Sequence, residues 1–138
     1  MEHNVLGLLG LARRGRLLEL GEEACAAACR GEKARLLMVA SDAGEHTVRR
    51  AQSLCRTGKP IFLQLPFSKT ELGAALGLNA CALAALTDPE MALAVVRGLG
   101  DEEKNHDAIE NLTLQSQRVK QRRLEEQAHR NNRKHGKM

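Results

Sequence analysis

Leu36-Leu37-Met38-Val39-Ala40 is an unbroken apolar run, and it constrains the fold more than any other stretch. A strand with one wet face alternates apolar and polar side chains. A strand that is apolar at every position has to be covered on both faces. The flanking sequence supplies the covers. Residues 4–14 carry Val5, Leu8, Leu9 and Ala12 on one helical stripe,. Residues 16–20 make a short strand, and residues 22–30 an alanine-rich helix with Gly31 as its stop,.

Beyond the central strand the alternation continues. Asp42 with Glu45 resembles a capping box. Val48, Ala51 and Cys55 then follow helical spacing up to a stop at Gly58,. Ile61–Leu65 is a third strand, and Ser68 with Glu71 is a second capping signal for a helix over 69–76. Residues 80–86 form an alanine-rich fourth strand. Asp88-Pro89 supplies an N-cap and a first-turn proline for a helix over 89–97,. Strands alternating with helices predict an α/β fold, a three-layer α/β/α sandwich around a small mixed four-stranded sheet, over residues 1–100.

Residues 101–138 are a different material. Of the first 100 residues 51 are hydrophobic, against eight of the last 38, so this charged C-terminal extension cannot build a core of its own. A marginal charged helix or disorder is expected there, with little contribution to folding. Its charge is polarised. Residues 101–116 hold five acids and one lysine, whereas residues 117–138 hold eight Lys/Arg and two acids, in a chain whose formal net charge is +4. A basic end favours an anionic partner. No run of about 18 uncharged apolar residues and no leader-like start is present, so neither a membrane partner nor secretion is expected.

Catalytic signatures are lacking. Cys25, Cys29, Cys55 and Cys81 form no Cys-x-x-Cys pair and no histidine lies at ligand spacing beside them, so no metal or other cofactor is expected. Cys25 and Cys29, four apart on a helix, read as small buried hydrophobes in a reduced, cytoplasmic protein. Gly15-Arg16 lacks the Lys-Ser/Thr of a phosphate loop,. Glu22 and Glu23 diverge by about 100° on a helix, which suits a helix N-terminus better than a shared acid–base task. With no Trp or Tyr and only Phe62 and Phe67, the stacking of bases on sheet aromatics is closed to this chain. RNA binding would have to use helix ends, loops and shape.

Leu9-Gly10-Leu11-Ala12-Arg13-Arg14, Gly21-Glu22-Glu23 and Leu36–Ala43 stand in an order and spacing that Lys59-Pro60-Ile61, Glu71-Leu72-Gly73-x-x-Leu76-Gly77 and Leu86-Thr87-Asp88 continue. Over residues 4–99 the chain resembles the ribosomal protein L-seven-Ae/L-thirty-e superfamily, especially its small bacterial ribosome-associated branch. The resemblance implies a three-layer sandwich and the binding of kink-turn or related folded RNA. It implies RNA contacts from Gly21, Glu22 and Glu23 at the start of the second helix, and from the loop Leu86-Thr87-Asp88-Pro89. Arg13, Arg14 and Arg16 add positive charge nearby. The family's RNA binders commonly place Asn-Glu after that glycine and a lysine six residues beyond it. Here those positions are Glu23, Ala24 and Ala27.

The expectation is a non-catalytic, cytoplasmic, ribosome-associated RNA-binding protein with a monomeric core. The alternative is a protein-interaction module on the same scaffold, without specific RNA binding.

Overall fold

The computed structural model describes residues 4–57 and 60–135, with Thr57 and residues 132–135 as backbone only. Gly58 and Lys59, hence the expected helix stop and part of one resemblance motif, lie outside the described residues. Four strands, β1 (Leu18–Leu20), β2 (Leu36–Val39), β3 (Ile61–Gln64) and β4 (Leu83–Leu86), form one sheet in the order β1-β4-β2-β3. β2 and β3 run parallel, while β4 runs antiparallel to both β1 and β2.

Helices α1 (Val5–Arg14), α2 (Glu22–Arg30), α3 (Glu45–Thr57), α4 (Lys69–Leu76), α5 (Pro89–Gly98) and α6 (His106–His135) complete the chain. Alternate residues of β2 enter two separate cores. Leu36 and Met38 pack with Leu9, Leu72, Leu76, Val95 and Val96 from α1, α4 and α5. Leu37 and Val39 pack with Cys25, Cys29, Ala51 and Leu54 from α2 and α3. This two-sided burial is what an all-apolar strand requires, and it makes the fold an α/β sandwich with a mixed four-stranded sheet.

Local chemistry sets most helix ends as expected. Asn4 caps α1 through Gly7 N, Ser68 and Glu71 form a full capping box on α4, and Asp88 caps α5 with Pro89 behind it,. Asp42 does something else. Its Oδ1 accepts from Lys69 N at 2.8 Å, so it supports the start of α4, 27 residues downstream, and α3 begins after Gly44. β4 is shorter than expected because residues 80–82 run as loop. In β1 the strand begins only at Leu18, since Arg16 turns the chain with φ +60°.

The expectation of a dispensable extension is corrected for its first half. Leu112 is fully buried in the core with α5 and Ser116 is nearly so. The structure continues as helix, and residues 120–131 are exposed all round. No helix among the described residues is long and apolar enough to cross a membrane.

Candidate nucleic-acid interface

The sheet has two ends of different character. At one end lie the carboxyl ends of β1, β2 and β3 and the amino end of β4. Gly21 follows β1 there and donates N–H to Leu83 O at 3.1 Å. Its φ of +87° and ψ of +165° lie in a region that only glycine occupies without strain,. A Cβ on Gly21 would meet nothing within 4 Å, so the backbone is open to a partner and the glycine answers to conformation rather than to packing. Glu22 and Glu23 follow, exposed, in the first turn of a helix with no side-chain cap. The Glu22 carboxylate lies 3.4 Å from Arg50 Nε of α3.

Two further segments share this end. Ala40 N donates to Ala82 O at 3.0 Å, which places Ser41–Gly44 after β2 beside Leu78–Ala82 before β4. Leu78, Asn79 and Ala80 are exposed. Their backbone is seated on Gly73, where a Cβ would come within 2.7 Å of Ala80 N and Cα. Arg13 Nη1 lies 3.4 Å from where a Cβ on Gly77 would sit, and the guanidinium acts on the Cys81 thiol, partly opposing the rise that burial causes. Arg13 therefore belongs with this loop.

The expected loop Leu86–Pro89 is not brought to Gly21. Thr87 N and Oγ1 donate to Leu17 O at 2.9 and 3.1 Å, at the far end of the β1–β4 ladder. Four residues of strand separate the two ends, about 13 Å. Leu86 and Pro89 are buried, and Asp88 Oδ2 is used on Met91 N at 2.9 Å. All four residues already serve the fold. Arg16 is exposed on that same far end, and Arg14 is exposed at the end of α1.

A family model described as the ribosomal protein L7Ae/L30e/S12e/Gadd45 family matches residues 3–96. The chain belongs to that family. RNA-binding protein YlxQ of Bacillus subtilis (strain 168) is 31% identical over 85 residues, covering 59% of this chain and 80% of that protein. A Bacillus halodurans C protein of unknown function superposes with TM-score 0.65 at 27% identity, over 70% of this chain and 97% of its own. The Giardia lamblia 15.5kD RNA binding protein superposes with TM-score 0.57 at 18% identity, over 72% of this chain and 85% of its own, and shows the fold alone. The family match ends before α6.

The loops at Ser41–Gly44 and Leu78–Ala82 escape a reading of the sequence because only the sheet order brings them to Gly21. One signal was available. A glycine inside the α4 pattern, Gly73, marks a close backbone approach.

Proposed function

We propose that this L7Ae/L30e family protein is a non-catalytic binder of structured RNA, kink-turn-like in shape and belonging to the ribosome. Gly21 carries the reading: a glycine-only conformation, open on its outer side, at the uncapped start of α2. Such a point lets nucleic acid reach backbone directly. The neighbouring Glu23 carboxylate accepts from base amino groups, and Leu78 presents an exposed apolar contact. The RNA-binding name of the Bacillus subtilis relative supports the same reading.

In this proposal the bracing loop is Leu78–Ala82 rather than Leu86–Pro89. The test is a gel-shift series on a kink-turn RNA and an unstructured strand, with melting temperatures measured alongside. Gly21→Ala and Leu78→Asp are expected to reduce the preference for the kinked RNA about tenfold, the equivalent of ~1.4 kcal/mol, while Thr87→Ala leaves it intact. The rival is a protein-interaction module drawing on Glu22 and Glu23. It prevails if the full chain prefers neither RNA.

A further inference from the structure

Arg35 lies at the opposite end of the sheet, just before β2, with its N–H bonded to Leu86 O at 2.7 Å. Its side chain runs toward α6, where Nη1 donates to Gln115 Oε1 at 3.1 Å. Among the described residues its buried Nε has no hydrogen-bond partner. A buried donor left unpaired is unfavourable unless the site serves something that accepts from it.

Around Arg35 is a cavity of about 450 Å³, closed on one side by the α2–β2 connection and on the other by α6. Asn111, Gln115, Arg118 and Arg122 line the helical side. Their spacing of four, three and four residues keeps them on one stripe. That stripe runs beside Leu112 and Ser116, which fasten α6 to the core. Three guanidinium groups therefore border the cavity against one carboxylate, Glu32. Among the described residues none of the three arginines has a carboxylate within 4 Å.

We propose that the Arg35–Arg118–Arg122 pocket binds a phosphate group, its occupant a phosphodiester of the same RNA. Guanidinium forks match phosphate geometry, and a half-buried arginine held in place by Gln115 loses less freedom on binding than a solvated one. The identity of the occupant rests on the RNA reading above, whereas the phosphate chemistry does not. A free phosphate monoester presents the same chemistry. Half the pocket belongs to α6, beyond the family match, and Arg35, bonded to Leu86 O, lies at the end of the sheet opposite Gly21.

The test uses the full chain and inorganic phosphate, following the Arg35 Nε–H resonance by NMR. It adds gel shifts at several salt concentrations for two exposed double variants, Arg118→Gln/Arg122→Gln in the pocket and Arg123→Gln/Arg130→Gln outside it. Each variant removes two positive charges. A saturable shift of Arg35 Nε–H is expected in the parent chain and lost only in the pocket variant. That variant should also bind both RNAs about tenfold more weakly, its salt slope lower by the equivalent of about one phosphate, 0.7–0.9 units. A saturable phosphate shift in a chain whose RNA affinity is absent or indifferent to the pocket variant keeps the pocket and assigns it to a free phosphate compound. No saturation, with the two double variants equal in RNA affinity and slope, overturns the pocket and leaves the Gly21 reading standing.

Discussion

Burial pushes the Cys25 thiol up to about 12, with smaller contributions from Cys29, Cys81 and Glu19, and the Cys55 thiol up to about 11. An unfolded thiol ionises near 9.0. Above that pH the unfolded chain has shed protons that the folded chain keeps, so the stabilisation is whole below pH 9 and is lost as pH rises toward 12. Each thiol contributes at most about 1.4 kcal/mol per pH unit in that window. The urea midpoint should fall between pH 9 and 10.5, and fall less steeply in Cys25→Ala. A midpoint that stays level would contradict the burial. Two charged residues show strain of another kind. Arg16 and Glu32 adopt φ +60° and +57°, while the glycines before them, Gly15 and Gly31, keep φ −82°. The i−5 bonds from Leu17 N to Ala12 O and from Lys33 N to Ala28 O close both helix ends around the left-handed residue,. Replacing Glu32 by glycine relieves about 1–2 kcal/mol of left-handed strain and adds back up to about 1 kcal/mol of chain entropy. A gain of between zero and about 2 kcal/mol in urea unfolding is expected, and a loss would show that Glu32 is held there by something else.

Gly73 and Leu112 carry the tests at the level of elements. A Cβ on Gly73 falls 2.8 Å from Asn79 C and 2.7 Å from Ala80 N and Cα, all backbone. Gly73→Ala should therefore destabilise by about 1–3 kcal/mol and displace the Leu78–Ala82 loop, visible as altered amide shifts at Asn79 and Ala80. Leu112→Ala should lose about 2–5 kcal/mol by opening a cavity between α5 and α6. Leu124→Ala, 61% exposed on the same helix, should be neutral by chemical denaturation. The contrast explains how far the sequence was legible. The central strand, the helix starts at Asn4, Ser68 and Asp88 and the two-sided sheet follow from local chemistry that a few adjacent residues carry. The docking of α6 does not, because Leu112 and Ser116 touch partners on α5 and the core rather than neighbours in sequence. Sheet order is equally hidden. Asp42 looks like the cap of α3 until β2 and α4 are placed side by side. Leu86–Pro89 looks like a bracing loop until β4 is seen to run antiparallel to β1. Among the candidate site residues the conformation of Gly21 and the first-turn place of Glu22 and Glu23 were legible from residue type, since local backbone chemistry sets both.

At the scale of the molecule, α6 is a lever. Its 30 helical residues span about 45 Å,. The first half is packed on α5, with Lys120 Nζ 3.5 Å from Glu90 at the start of α5. The remainder extends past the end of the sheet that holds Arg16 and Arg35. On the proposed reading binding divides by geometry, with shape read at the Gly21 end and charge gathered at the other. Deleting residues 121–138 removes six Lys/Arg and two Asp/Glu, which takes the formal net charge from +4 to zero. Since residues 121–131 are exposed, stability should change by less than about 0.5 kcal/mol. Affinity should fall for kinked and unstructured RNA alike, because phosphates are common to both. Every phosphate that the shortened chain leaves unneutralised should flatten the plot of log affinity against log salt by about 0.7–0.9 units. The ratio of the two affinities should survive, because the residues proposed to set it lie at the opposite end of the β1–β4 ladder, about 13 Å away along the strands, from the end that holds Arg16 and Arg35. Titrations of both RNAs at three or more salt concentrations measure slope and ratio together. A deletion that abolishes the preference while leaving the slope unchanged would reverse the assignment, placing shape recognition on the helix and charge at Gly21.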